Sequence, residues 1–211
     1  MDEAELTVAD VRSVGADAVA IDFESPPDFE AMPGQFVKLT LAVDGEDASR
    51  FYTISSPDVD DTFEITVGID PDGDVGPLLA ALSAGDAVWV SGPFGSSYYE
   101  GEPQVLVVAG GPGVGPAVGI AERALEDGGE AAVVYQDEAP IHEDRLSGLA
   151  DRGASVAVLG PDEDVGAAVG DALTEDTQVF VYGFAGFLDT ATAAISAAGG
   201  EPDEAKVENF G

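Results

Sequence analysis

The stretch VVAGGPGVGP, Val107 to Pro116, joins an apolar run to a helix-like segment through four glycines. The apolar run, from Gln104 to Gly110, is typical of a strand that is buried on both faces, and the segment after the turn ends at a glycine stop. A glycine-rich turn in this position indicates a phosphate site, because glycine lets the backbone approach the phosphate and the helix N terminus offers free N–H groups. A plain tight β–α turn explains the same residues.

The chain after this turn continues as alternating strands and helices. The segments in order are AAVVYQ, IHEDRLSGLADRG, ASVAVLG, VGAAVGDAL, QVFVYG and FLDTATAAISAAGG, and AKVENFG closes the chain. Four β–α repeats predict a doubly wound parallel sheet. YGFAGF, Tyr182 to Phe187, follows the last strongly apolar strand, so we expect it to face the same crevice as the first turn, although it also suits an ordinary turn.

The chain before this turn has a different pattern. Short strands separated by turn residues, such as Asp44-Gly45, predict a small antiparallel barrel. PLLAAL, Pro77 to Leu82, predicts a short helix with proline near its start. The fold class is therefore an antiparallel barrel followed by an α/β domain, with boundaries at 1–101 and 102–211.

The composition limits the function classes. With 42 Asp+Glu against 7 Lys+Arg, the formal net charge is -35, which excludes non-specific binding to nucleic acid or to anionic membranes. The hydrophobic share of 45% argues for a folded chain, so we interpret the charge as adaptation to high salt, where it is screened.

Cysteine and histidine chemistry is nearly absent. The chain has no Cys and one His, which excludes disulfides, iron–sulfur clusters, zinc sites and other cysteine chemistry, so no metal site is expected. His142 is expected to be a solvated surface residue near a helix start. The acidic start resembles no signal peptide, and the longest apolar run is broken by Gly and Pro. We therefore expect a soluble, cytoplasmic protein without membrane insertion.

The stretch RFYT, Arg50 to Thr53, groups a cation, two aromatics and a hydroxyl on one strand. Arginine binds phosphate through a bidentate fork, and a tyrosine ring stacks on a flat heterocycle. In a strand Arg50 and Tyr52 share a face, whereas Thr53 joins them only if the strand bends. A surface ion pair beside a core tyrosine is the alternative interpretation.

Four motifs in this order resemble the ferredoxin–NADP⁺ reductase and cytochrome b5 reductase family over nearly the whole chain. Arg50-x-Tyr52-Thr53 resembles the family's flavin motif, and Gly92-Pro93-Phe94-Gly95 resembles the close of its barrel. Gly110-Gly111-x-Gly113-Val114-x-Pro116 resembles its nicotinamide-nucleotide motif, and Glu208-x-Phe210 resembles its C-terminal motif.

The resemblance implies a role for each matching residue. Arg50 would hold a flavin phosphate, Tyr52 would stack on the isoalloxazine and Thr53 would approach its N5, which makes Tyr52 and Thr53 the implied catalytic residues. The other implied cofactor contacts are Val67, Ile69, Gly76 and Pro77 for the flavin, Gly110, Gly111, Gly113, Val114, Gly115 and Pro116 for the dinucleotide pyrophosphate, Tyr182, Gly183 and Phe184 near the nicotinamide, and Phe210 beside the flavin ring.

Three features depart from the family pattern. Gly76 stands where many members have Ser, Tyr182-Gly183 stands where many have Cys-Gly, and a cysteine-rich iron–sulfur segment is missing. Nucleotide choice would lie at Gln136-Asp137-Glu138, where acidic residues repel a 2′-phosphate and favour NADH, with NADPH left open.

The sequence therefore predicts a flavin-dependent NAD(P)H oxidoreductase that uses FAD. It would pass a hydride from nicotinamide to flavin N5 and electrons to a separate redox protein or small molecule. Two alternatives stay open: an electron-transfer subunit of a larger redox complex, and a flavin- or nucleotide-sensing module without catalysis.

Overall fold

A computed structural model describes residues 1–43 and 45–211, so Asp44 of the predicted Asp44-Gly45 turn lies outside the described residues. The first half of the chain forms six antiparallel strands in the order β4-β3-β6-β1-β2-β5. Their bounds are β1 Ala4–Gly15, β2 Ala18–Glu24, β3 Phe36–Val43, β4 Glu46–Thr53, β5 Thr62–Gly68 and β6 Ala87–Phe94.

The two outer strands of this sheet meet and close it into a barrel. Ile54, just after β4, pairs with Ile65 of β5, and Ser55 N donates to Glu64 O at 2.8 Å. Alternate apolar residues of the strands point inward and form the barrel core, in which Phe23 stacks on Phe63 with ring centroids 5.4 Å apart. Helix α1, Gly76–Ala80, carries its proline in the first turn as predicted but is shorter than PLLAAL.

The second half forms a five-stranded parallel sheet in the order β11-β10-β7-β8-β9. The strands are β7 Gln104–Gly110, β8 Glu130–Gln136, β9 Ser155–Leu159, β10 Gln178–Gly183 and β11 Lys206–Asn209, and the helices are α2 Val114–Glu126, α3 Glu143–Asp151, α4 Val165–Ala172 and α5 Ala185–Ala197. Helices α2 and α3 cover one face, and α4 and α5 cover the other. The predicted fold class is confirmed.

The strand order reverses between β7 and β10, because α2 leads to one side of β7 and the later repeats return to its other side. Ligands of such sheets lie in the crevice beyond the carboxyl ends of the strands at this point. Strand β6 ends at Phe94 and β7 begins at Gln104, so the boundary at 101/102 falls between the two sheets and stays a proposal. Over residues 1–43 and 45–211, no helix has the length and apolar character to cross a membrane.

Candidate functional site

A crevice of about 710 Å³ lies between the barrel and the carboxyl edge of the parallel sheet. From the barrel, β4 contributes its last five residues and the end of β5 contributes Gly68 to Asp70. The second domain contributes two prolines of the glycine-rich turn, Phe184 just after β10, and residues 208–211 at the end of β11 and beyond it. Seven of the predicted site residues line it together: Arg50, Tyr52, Thr53, Ile69, Pro116, Phe184 and Phe210.

Arg50 differs from the other cations of the chain. Lys38 and Lys206, and the four arginines other than Arg50, all form ion pairs with Asp or Glu. Within the described residues Arg50 has no such pair; its guanidinium donates only to the carbonyl oxygen of Ser49, at 2.9 Å. In a chain with 42 carboxylates, an exposed arginine without one leaves its fork free for another anion.

Tyr52 and Thr53 are both in the crevice, although they alternate along β4. Tyr52 pairs with Val37 and packs against the barrel core, while it also lines the crevice. Thr53 is 7% exposed, and its hydroxyl donates to Glu208 Oε1 at 3.0 Å. This hydrogen bond connects the barrel to Glu208 of the second domain, and Glu208 also lines the crevice.

Glu208 stands in the sequence only as part of a motif, and the structure places its carboxyl in the crevice beside Thr53. Burial raises the pKa of its carboxyl to about 7, and the hydrogen bond from Thr53 acts in the opposite direction. A carboxyl that titrates near neutral pH and contacts a hydroxyl can hold or release a proton beside a bound ligand. Its partner is 155 residues away in sequence, so no local pattern reveals the pair.

Aromatic rings form the wall of the crevice on the side of the second domain. Phe184, half exposed, meets Phe210 edge to face at a centroid distance of 6.1 Å. The backbone N–H of Phe210 donates to Gly183 O at 3.0 Å, which fixes the chain end beyond β11 against the end of β10. The crevice therefore offers Tyr52 on one domain and Phe210 on the other for a flat ligand.

Three of the four glycines in the glycine-rich turn lie so close to other parts of the protein that a side chain would clash there. A Cβ on Gly110 would lie 2.5 Å from the ring of Phe187, and one on Gly113 would lie 2.3 Å from Tyr182 O. On Gly115 it would lie 2.5 Å from Thr66 Oγ1. Only Gly111, with φ +57°, has an open position above it, so the number of glycines does not by itself indicate a ligand.

The turn nevertheless has the predicted helix start. Gly111–Gly113 form one 3₁₀ turn that runs into α2 at Val114, and no side chain caps either segment. The first N–H groups therefore lack side-chain acceptors at the sheet edge. Val114, Gly115 and Pro116 are buried.

The comparisons with known proteins agree with this architecture. Residues 5–99 match the family described as the oxidoreductase FAD-binding domain. The chain is 29% identical over 171 residues to the toluate 1,2-dioxygenase electron transfer component of Pseudomonas putida, covering 75% of this chain and 50% of that one. It is 44% identical over 97 residues to the glycine betaine monooxygenase reductase subunit of Chromohalobacter salexigens, covering 44% and 26%.

The fold matches over the whole chain. A ferredoxin NADP⁺ reductase from Neisseria gonorrhoeae with bound FAD and NADP aligns over 100% of both chains, with a TM-score of 0.83 and 18% sequence identity. These matches confirm the resemblance to the ferredoxin–NADP⁺ reductase and cytochrome b5 reductase family. It spans half of the length of the first curated relative and about a quarter of the second.

The side chain of Tyr182 is buried behind the crevice. Its ring is 0% exposed, and its hydroxyl donates to Ser97 O at 2.5 Å. The ring packs in the core on the face of α2 and α3, with its centroid 6.5 Å from that of Phe210. The side chain of Tyr182 therefore points into the protein, and Phe184 after the same strand lines the crevice, so the proximity of Tyr182 to the nicotinamide stays a prediction.

The other predicted flavin contacts lie at the end of β5. Val67 is buried in the barrel core, while Ile69 lines the crevice. Gly76 packs beside that strand end, since a Cβ on it would lie 3.5 Å from Ile69 Cα. Neither Gly76 nor Pro77 lines the crevice.

The predicted nucleotide-selecting loop follows β8 and is already held by hydrogen bonds. Gln136 Nε2 donates to the carbonyl oxygens of Gly160 and Glu163. The Asp137 carboxylate accepts from Tyr135 OH at 3.1 Å and from Ala139 N at 2.9 Å. Glu138 is exposed. The orientation of the Asp137 carboxylate is therefore fixed, and the Gln136 amide stabilises the neighbouring loop by its hydrogen bonds.

His142 is a buried residue, which corrects the expectation of a solvated one. It is 4% exposed at the start of α3, and its Nε2 lies 2.8 Å from the hydroxyl of Thr66 in the barrel. Thr66 donates to Ser55, so the imidazole donates from Nε2. Burial, together with Arg145 and Arg12, lowers the pKa of His142 to about 3.

A buried charge cluster beside His142 joins the two domains, and the sequence does not indicate it. Glu64 in β5 is 4% exposed and accepts from Arg145 of α3 at 2.8 Å, from Ser55 at 2.7 Å and from Arg12. Arg145 also binds Glu122 of α2. Removing one partner of such a cluster leaves a buried charge unpaired, so the cluster holds the domains in one orientation.

Proposed function

We propose that this chain is an FAD-dependent NAD(P)H oxidoreductase that delivers electrons to a separate acceptor. The observation that carries the proposal is Arg50, which lines the crevice and has no carboxylate partner among the described residues. A phosphate is the anion that a free guanidinium fork fits, and the match to an oxidoreductase FAD-binding domain supports a flavin as its source.

The residues present fit such a cofactor. Tyr52 would lie against the isoalloxazine, Phe210 would shield it from water on the other side, and the open start of α2 beyond Gly111 would receive the nucleotide pyrophosphate. A flavin held by these residues would supply hydride acceptance at N5 and the transfer of electrons singly or in pairs.

The Thr53–Glu208 pair would accept and release the proton that this reaction produces. For a one-electron acceptor A the balance is NADH + 2 A(ox) → NAD⁺ + H⁺ + 2 A(red), so one proton must leave for each turnover. Glu208, with a pKa of about 7, would carry it from the crevice, and Thr53 would hold the carboxyl in place.

A second candidate is an electron-transfer component of a larger redox complex. The names of two relatives, an electron transfer component and a reductase subunit, favour it. Both candidates need the same cofactors. They separate when the flavin-loaded protein is given NADH and a small oxidant, because an independent enzyme turns over without a further subunit.

The test is a visible spectrum of the purified protein in molar KCl, before and after NADH without oxygen. We expect flavin bands that NADH bleaches, with FAD released on denaturation. A protein that cannot be loaded with flavin contradicts the proposal and favours a sensing module that has lost its cofactor.

A further inference from the structure

His142 connects the second domain to the barrel through both its backbone and its side chain. Its N–H donates to Val14 O of β1 at 2.9 Å, and its Nε2 lies 2.8 Å from the hydroxyl of Thr66 in β5. Ile141, beside it, packs so closely on Gly15 that a Cβ on this glycine would clash with Ile141 Cγ2. The residues just before α3 are therefore inserted against the barrel.

The backbone of His142 is in the left-handed region, with φ +56° and ψ +29°. A residue other than glycine keeps such a conformation where the surrounding contacts impose it. Here those contacts are the two hydrogen bonds to the barrel. The backbone strain at the start of α3 therefore points to the contact between the domains.

A chain of hydrogen bonds with a single direction runs from His142 into the barrel. The imidazole donates to Thr66, Thr66 donates to Ser55 Oγ at 3.1 Å, and Ser55 donates to Glu64 Oε1 at 2.7 Å. Glu64 belongs to the buried charge cluster, and a carboxylate only accepts. The neutral imidazole with its proton on Nε2 is thus the form that completes the chain.

The imidazole lies among charged residues as a neutral donor. Burial, and then Arg145 and Arg12, lower its pKa to about 3. The charged residues on the elements packed around it are Arg145, Glu143 and Asp144 of α3, Arg12 of β1, Glu64 of β5 and Glu122 of α2. A protonated imidazole would add a third cation beside the two arginines, so the neutral form is the one that connects the domains.

Thr66 extends this connection to the crevice, since it is one of the crevice-lining residues and His142 lies behind it. The Thr66 side chain also lies against the start of α2, where a Cβ on Gly115 would lie 2.5 Å from Thr66 Oγ1. The flavin is proposed on the side of β4 and β5, and the nucleotide pyrophosphate at the start of α2. The separation of the two ligands therefore depends on how α2 is held against Thr66.

We infer that His142 is a positioning residue for the transfer of hydride from NADH to flavin N5. Through Thr66 it holds the start of α2 against the barrel and so fixes the separation of the two ligands. The inference rests on the function proposed above and adds a residue outside the four motifs. A displacement of reacting groups by about 1 Å can cost about a hundredfold in rate, so a hydrogen bond behind the crevice can control the reaction.

Two substitutions of similar size separate the hydrogen bond from the bulk of the side chain. His142→Gln keeps an N–H donor directed at Thr66, whereas His142→Met has none. Both side chains are unbranched at Cβ, so the left-handed backbone disfavours them alike. Thr66→Val removes the hydroxyl from the other side. Val169→Ala, at a buried residue of α4 on the opposite face of the parallel sheet, is the control for a loss of stability alone.

Pulsed EPR measures the orientation of the domains without turnover. The chain has no cysteine, so the exposed Ser83 before β6 and Ser196 in α5 can be replaced by cysteine and spin-labelled. In molar KCl we expect one narrow distribution of distances for the wild type. It should be kept in His142→Gln and Val169→Ala and shifted or broadened in His142→Met and Thr66→Val.

The imidazole of His142 gives a second readout that needs no cofactor. It is the single histidine of the chain, so its ¹⁵N NMR signals are unique. We expect them to show a proton on Nε2 and to stay constant between about pH 5 and about pH 8, the range in which an ordinary imidazole titrates. A signal that titrates there, or a proton on Nδ1 alone, would overturn the inference.

Flavin reduction by saturating NADH, followed by stopped flow, tests the role in the reaction. The rate should fall about ten- to a hundredfold in His142→Met, because the reacting atoms are no longer held in place. The affinities for FAD and NADH should stay close to those of the wild type, since the proposed contacts of both ligands are intact. His142→Gln should recover the rate, and Val169→Ala should equal the wild type.

Three outcomes contradict the inference: distances and rates in His142→Met that equal those of the wild type, a loss in His142→Gln as large as in His142→Met, or the same loss in Val169→Ala. The second outcome assigns the effect to the ring, and the third assigns it to stability. A wild type that binds no flavin, or whose flavin NADH does not bleach, contradicts the proposed function instead. The EPR distances and the imidazole signals are measured independently of the flavin, and so the two failures are distinguishable.

Discussion

Arg50 shows how the meaning of one residue depends on what the rest of the chain leaves unpaired. In the sequence it is one of seven cations, and a surface ion pair was an open alternative. In the structure the other six are ion-paired and Arg50 lines the crevice without a carboxylate among the described residues. The motif thus predicted the position, but only the full set of ion pairs separates the two interpretations.

Replacing Arg50 should weaken flavin binding. Arg50→Ala removes a charge-assisted phosphate contact of about 1.5–3 kcal/mol, which is a loss of roughly ten- to a hundredfold in affinity. Fluorescence titration of the apoprotein with FAD in molar KCl measures it. Arg152→Ala removes an exposed arginine that pairs with Glu126 and should leave the affinity unchanged; equal affinities in the two variants would contradict the role of Arg50.

Glu208 should make stability depend on pH in a defined window. Burial raises its pKa from the ordinary 4.5 to about 7, so between these values the folded protein keeps a proton that the unfolded chain has lost. The free energy of unfolding therefore falls as pH rises through this window, and Glu208→Gln removes this component.

The stability of Glu208→Gln minus that of the wild type should increase from about pH 4.5 to about pH 7 and level off above it. Urea unfolding at a series of pH values in molar KCl measures the difference. Glu201→Gln, at an exposed glutamate, serves as the control and should give a flat difference. A flat difference for Glu208→Gln as well would mean that the carboxyl is ordinary.

At the scale of elements, alternation and apolar runs predicted the type and order of the strands and helices. The observed bounds differ from the predicted ones where the sequence is polar. Strand β4 begins at Glu46 instead of Arg50, and helix α3 begins at Glu143 instead of Ile141. His142 was misjudged because its partner Thr66 is 76 residues away and on another domain. Periodicity describes one element, whereas burial between domains depends on two.

The glycine-rich turn should be intolerant of Cβ for reasons of packing. Gly113→Ala places a carbon 2.3 Å from Tyr182 O, so the backbone must shift, and we expect a loss of about 1–3 kcal/mol in the free energy of unfolding. Gly148→Ala in α3 has open space and should stabilise by about 0.5–1 kcal/mol. Denaturant unfolding of the two apoprotein variants measures these changes. If Gly113→Ala is as stable as the wild type, packing does not explain this glycine, and contact with a bound phosphate becomes the better explanation.

The loop after β8 should prefer NADH. NADPH would set its 2′-phosphate against Asp137, which two hydrogen bonds hold in place, and against the exposed Glu138. Ribose hydroxyls can donate to a carboxylate even when salt screens the repulsion. We expect kcat/KM for NADH to exceed that for NADPH at least about tenfold, a difference of about 1.4 kcal/mol, with an artificial oxidant in molar salt.

The double variant Asp137→Ser, Glu138→Arg should narrow the gap between the two nucleotides. Exchange of the exposed acids Asp162 and Asp176 for the same residues, elsewhere on the domain, controls for net charge. A wild type that prefers NADPH would make the acidic loop a solvated surface and the alignment of this loop incorrect.

At the scale of the whole molecule, the charge of -35 should make folding depend on salt. Lowering KCl from about 1 M to about 0.1 M lengthens the Debye length from about 3 to about 10 Å and exposes the excess charge to self-repulsion. We expect Tm to rise with KCl over this range in a calorimetric series. A Tm that is flat or falls as KCl rises contradicts adaptation to high salt.

Helix α2 meets the barrel at two glycines: Gly115 lies against the side chains of Thr66 and Ser55, and Gly119 lies against the backbone of Ser55 and Ser56. A Cβ on Gly119 would lie 2.6 Å from Ser55 O, and one on Gly115 would lie 2.5 Å from Thr66 Oγ1. A chimera that joins this barrel to another nucleotide domain must therefore keep both glycines at the contact between α2 and the barrel. A nucleotide domain grafted onto this barrel from another reductase will dock in the native pose only if it supplies glycine at both positions, however well its own cofactor residues are preserved.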